Sequence, residues 1–171
     1  MAGPTFNMGA QRRKMSFIES VIEHGIPMSD VKIVDDNSKS YGYAAAIEIL
    51  RDPKTRPTAV LCFNDVVAMG VYRAAYELSL DIPGDLSVVG FDGIEAAELM
   101  GSPLTTVNIF PEELGRQAAN ILLRVIRNET GREIVTHWVD TELVKRASVR
   151  DLNADRLGAG LRGAGAAIQQ G

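Results

Sequence analysis

The sequence predicts an α/β fold, a Rossmann-like parallel sheet flanked by helices, and three observations carry that prediction. Two short apolar runs, residues 59–63 and 87–91, are rich in Val and Leu and lack polar alternation, as strands buried on both faces do. Between them Val67, Val71, Ala74, Ala75 and Leu78 form one stripe of a 3.6-residue period, so a helix connects the runs. Strand, helix and strand in that order require parallel strands and a right-handed crossover.

Each apolar run stops at an acid or an amide: Asn64 and Asp65 after the first, Asp92 after the second. In an open parallel sheet the carboxyl ends of the strands face the ligand crevice, which puts these three side chains at its rim. N-capping is the competing account, because Asn and Asp are favoured at helix starts. A third run, residues 31–34, ends in Asp35, Asp36 and Asn37, and the repetition strengthens the crevice reading.

The remaining elements follow in order. A helix is expected over residues 10–24, with Met15, Ile18, Val21 and Ile22 on one face and Gly25 closing it. Its first turns carry Arg12, Arg13 and Lys14, a placement that opposes the helix dipole; a solvated face is the simplest account of such a run. Ser40 caps a second helix through about Arg51, stopped by Asp52-Pro53. After the central unit come a short helix at 93–100, a strand or crossing segment at 104–109, and a well-marked helix from Pro111 to Arg127. Residues 135–139 and 142–144 are weaker strand candidates, and Trp138 is expected to pack in the core. From residue 150 the composition turns to Gly, Ala and polar residues, which predicts a disordered tail over 150–171 after a domain at 1–149. Gly158, Gly160 and Gly163 have GxGxxG spacing, but no strand precedes them and no βαβ unit follows, so dinucleotide binding is rejected.

Composition narrows the function classes. Of 171 residues 46% are hydrophobic and 23% charged, with net charge −4, so the chain has a substantial core and no basic face with which to grip nucleic acid. The single Cys62 sits in a strand pattern and reads as a small core hydrophobe. No apolar run approaches membrane-spanning length and the first residues lack the apolar stretch of a signal peptide, which leads to the expectation of a soluble cytoplasmic protein. An enzyme built on Asp35, Asp36, Asp65 and Asp92 is disfavoured: His24 and His137 lie outside the crevice pattern, and no nucleophile or metal spacing occurs. No cofactor is implied.

PTAVLCFNDVVAMG, DIPGDLSVVGFDG, SPLTTV and PEELGRQAANILL, occurring in this order, resemble the effector-binding core of the lactose-repressor (LacI/GalR) family of transcription regulators. The resemblance spans residues 3–148. It implies a periplasmic-binding-protein-like fold of which the C-terminal subdomain is present and the sheet incomplete, with the helix-turn-helix, the hinge and the first subdomain absent. It implies a small-molecule effector, a sugar, held between two lobes, a homodimer in the intact protein, and operator DNA reached only through the absent N-terminal domain. Arg13, followed by Ser16 and Phe17, matches the family arginine that reaches the effector; Ser16 stands where Gly is commoner. Asn7 and Gly9 fall where other members contact effector, and Asn37 replaces a frequent stacking aromatic with a hydrogen-bonding amide, which favours a hydroxyl-rich ligand. The site expected is therefore Asn7, Arg13, Asn37, Asn64, Asp65 and Asp92. A transport-type sugar-binding protein shares the fold and is the alternative reading.

The resemblance has one physical consequence. In the family the helix beginning at Pro111 packs on the first subdomain, so here its stripe of Leu114, Ala118, Ile121, Leu122 and Val125 lacks a bed. Exposure costs about 1.5 to 3 kcal/mol per large side chain. The helix is expected to dock elsewhere, self-associate or fray.

Overall fold

The computed structural model describes residues 1–3, 7–34, 42–129 and 136–152. Its elements are α1 (Met8–Glu23), α2 (Tyr43–Leu50), β1 (Ala59–Leu61), α3 (Asp65–Glu77), β2 (Ser87–Val89), β3 (Thr106–Asn108), α4 (Pro111–Ile126) and β4 (Glu142–Val144), with 3-10 turns at Met28–Asp30 and Glu95–Ala97. β1 and β2 pair in parallel, Val60 opposite Val88, and β3 and β4 pair antiparallel. Parallel bridges from Val89 to Thr105 and from Asp92 to Asn108 join the two pairs. On the other side of β1, residues 1–3 lie in the sheet: Phe63 N–H donates to the Met1 carbonyl and Ala2 N–H to the Val34 carbonyl. Residues 31–34 therefore flank the sheet without the regular ladder expected of a full strand.

The core sits on one face. Val60, Cys62 and Val88 turn to that face and pack with Ala46 and Leu50 of α2 and with Ala68, Val71, Ala74 and Ala75 of α3. Small side chains dominate α3, which lets α2 and α3 approach closely. Leu86, Ala97 and Leu104 close the far side of this cluster.

The opposite face is thinner, and it corrects the expectation that β1 is buried on both faces. Ala59 and Leu61 are exposed, and α1, which lies on this side, buries only Ala10 and Val21. Helix α4 departs further from a packed helix. It is regular from Pro111 to Ile126 and buries no residue; Leu114, Leu122, Leu123, Val125 and Ile126 all stand in solvent. It has not frayed, and its stripe lacks a bed among the described residues. Trp138, expected in the core, is 81% exposed. The tail at 153–171, including the glycines of the GxGxxG spacing, lies outside the described residues, as do Asp35, Asp36 and Ser40.

Candidate functional site

Alternation along the strands builds the site. With Val60 and Cys62 turned to the core, Phe63 belongs to the opposite face, and Phe91 stands two residues beyond Val89 on the neighbouring strand. Both rings therefore reach the α1 side at the carboxyl ends of their strands. Arg13, in the second turn of α1, lays its guanidinium over them, 3.8 Å from the Phe91 ring centre and 4.8 Å from that of Phe63. One of its nitrogens also donates to the Phe63 carbonyl at 2.7 Å. A planar cation held by two rings and a carbonyl is oriented before any ligand arrives. The solvated-face account of the basic run holds for exposed Arg12 and fails for half-buried Arg13.

Asp92 follows Phe91 and shares this environment. Burial raises its carboxyl above the ordinary aspartate range, Arg13 opposes the rise, and Asp65 adds to it. Burial likewise lowers the Arg13 guanidinium, with Asp92 pulling the other way. The backbone at Asp92 is unusual: φ is 115°, and Gly93 follows at 74°. A non-glycine residue in this region is strained, and the strain is held by the Asp92 N–H donating to the Val107 carbonyl. A Cβ on Gly93 would lie 2.8 Å from Asn108 Cα, so glycine is required there.

Asp65 does not face the crevice, contrary to the rim position expected for it. It is fully buried. Its Oδ2 accepts the N–H groups of Gly93 at 2.8 Å and Ile94 at 2.9 Å, and its Oδ1 accepts the Thr106 hydroxyl at 2.6 Å. It fastens the Asp92-Gly93 turn to the start of α3 and to β3. Asn64 caps α3, its Oδ1 accepting Val67 N–H at 2.9 Å, and Asn7 caps α1 by accepting Ala10 N–H at 3.0 Å. The capping account is thus right for Asn64, and the same job falls to Asn7, yet each side-chain amide keeps its NH₂ group for another partner. Asn37 lies outside the described residues. Phe63 and Phe91 are the site residues that the sequence reading passed over. Their signal was present: an aromatic immediately precedes the polar residue at both strand ends, in Phe63-Asn64 and Phe91-Asp92.

The arrangement offers a flat cation, a carboxylate and two amides at the carboxyl edge of a parallel sheet, where open α/β folds bind ligands. Residues 2–149 match the Periplasmic binding protein-like domain. The chain belongs to that family. Within it the resemblance to LacI/GalR-type regulators holds, and the chain carries part of their effector-domain fold. The HTH-type transcriptional repressor PurR of Photorhabdus laumondii is 38% identical over 150 residues, covering 87% of this chain and 43% of the repressor. PurR of Proteus mirabilis is 39% identical with the same coverage. The chain spans less than half the length of these relatives. A LacI family regulator from Enterococcus faecium with bound ribose superposes with a TM-score of 0.78 at 28% identity, over 88% of this chain and 56% of that one. A complex of the regulator CelR with cellobiose superposes with a TM-score of 0.76 at 27% identity, over 86% and 45%. The matched relatives are repressors rather than enzymes, and no helix among the described residues is long and apolar enough to cross a membrane.

Proposed function

We propose that this chain is the effector-sensing portion of a LacI/GalR-type transcription regulator and that its effector is a sugar. The observation that carries the proposal is Arg13, held over the rings of Phe63 and Phe91 beside Asp92. Paired donors and acceptors fixed at a crevice edge suit vicinal hydroxyls, each of which both donates and accepts. The ribose and cellobiose carried by two structural neighbours favour the same ligand class. Arg13, Asp92 and the amide NH₂ groups of Asn7 and Asn64 make the direct contacts, with Asn37 as a further amide. Asp65 positions the Asp92 turn. In the intact regulator, ligand closes a second lobe over this edge and shifts the population of a dimer that reads operator DNA through a separate domain. The protein acts in the cytoplasm.

A thermal melt of the chain with ribose, cellobiose and other sugars at millimolar concentration tests the proposal. Ligand at about 100 times its Kd adds roughly 2.7 kcal/mol, a rise of several degrees for a domain of this size. One sugar is expected to raise the midpoint of the wild type and not of Arg13→Ala. If no sugar moves the wild-type midpoint, or if the variant responds equally, the assignment is wrong.

A further inference from the structure

Helix α1 carries its charges the wrong way round for its dipole. Its first turn has no acid and its last turn no base. Instead Arg12 and Arg13 stand towards the positive N-terminal end, and Glu19 and Glu23 towards the negative C-terminal end. The crevice accounts for Arg13. It leaves Arg12, Glu19 and Glu23, all of them exposed. None of the three has an opposite charge three or four residues away on its own helix, and Glu19 and Glu23 form a like-charge pair at that spacing. Among the described residues none of the three makes an ion pair.

Beside these charges runs an apolar row. Met8, Met15 and Ile22 recur every seven residues, close to two turns, so they line one side of the helix. They are 73%, 52% and 62% exposed. The buried residues of α1 are Ala10 and Val21. At about 100° per residue, the row and the three charges lie together on the side turned away from that buried pair. The row also leads away from the crevice edge, since Ile22 stands about 14 Å beyond Arg13 along the axis.

We propose that this side of α1 is a self-association face, which pairs antiparallel with α1 of a second copy of this chain. A two-fold axis at Met15 sets Met15 against its own counterpart and Met8 against the second copy's Ile22. Arg12 precedes the axis by three residues and Glu19 follows it by four, so each Arg12 meets the other copy's Glu19. The two ion pairs are related by the axis. Glu23 comes beside the second copy's first turn, which has no acid of its own. Parallel pairing would instead set Arg12 against Arg12 and Glu19 against Glu19. Methionine side chains adapt readily to such a contact. A single helix pair buries less than the ~1,200 Å² of a standard interface, so the association is weak and reversible.

Sedimentation of the full chain over a hundredfold range of concentration tests this, at low salt where surface charges are least screened. A reversible association step is expected, and Met15→Glu should weaken it at least tenfold. Arg12→Glu and Glu19→Arg should each weaken it at least threefold, because each turns two attractive pairs into repulsive ones. The decisive arms are the double variant Arg12→Glu/Glu19→Arg and an equimolar mixture of the two single variants. Both restore opposite charges at both pairs, and both should associate within about threefold of wild type. A wild type that stays unassociated, single variants as tight as wild type, or no recovery in these two arms overturns the proposal. Association that ignores the α1 charges, as pairing through the exposed stripe of α4 would, refutes it as well.

Discussion

Asp65 and Thr106 meet at 2.6 Å, the hydroxyl donating to the carboxylate, with both residues fully buried. This bond, together with the two amides of the Gly93 turn, makes Asp65 the joint between α3, the crevice turn and β3. Asp65→Ala strands three donors, at about 1 to 3 kcal/mol each when left unpaired. Urea unfolding is expected to show a loss of at least about 3 kcal/mol. A loss below 1 kcal/mol would mean that the joint is not structural.

Gly90 lies against this joint. A Cβ there would sit 2.1 Å from Asp65 Oδ1 and 2.8 Å from Leu104 Cδ2. Gly90→Ala is therefore expected to destabilise by about 1 to 3 kcal/mol or more, the range for overpacking. Gly115, in the middle of α4, meets nothing within 4 Å, so Gly115→Ala should stabilise by about 0.5 to 1 kcal/mol through helix propensity. Opposite signs in paired melts are the outcome to look for.

Asp92 links stability to acidity. Its carboxyl is raised in the folded protein, first by burial, so the folded state holds the proton more tightly than the unfolded chain does. The resulting stability is fully present below the ordinary aspartate pKa and is lost as pH rises through the raised value. Asp92→Asn removes this titration. The variant should match or exceed wild type at neutral pH, and its advantage should shrink as the solution is acidified. Identical pH profiles for the two proteins would contradict the raised carboxyl.

Cys62 is buried, and burial pushes its thiol up to about 12. Thiolate is the reactive form, so a thiol reagent at neutral pH should label the protein only as fast as it opens. Labelling in native buffer at the rate seen in urea would refute this.

Fold and site differ in how far they could be read in advance. The βαβ unit was legible because 59–63, the stripe from Val67 and 87–91 are local patterns of period and composition, and β1, α3 and β2 fall inside them. Burial depends on what lies across the sheet, which no local pattern records. Hence Leu61 and Trp138 read as core and stand in solvent. In the site, Arg13 was found through its resemblance to a family position, and its setting came from the alternation that turns Phe63 and Phe91 to one face. Asp65 was misplaced because an acid after a strand looks the same whether it faces water or turns inward. Thr106, 41 positions further on, decides which.

Ser148 has a consequence in time. Its hydroxyl donates to the Val88 carbonyl and accepts Thr105 N–H, while its own carbonyl receives Val88 N–H. At the outer edge of β2, Val88 is thus paired by a residue 60 positions later in the chain. At about 5 to 20 residues per second, synthesis takes roughly 3 to 12 s to cover that distance. Throughout that interval the Val88 amide and carbonyl of newborn β2 stand bare to any neighbouring chain.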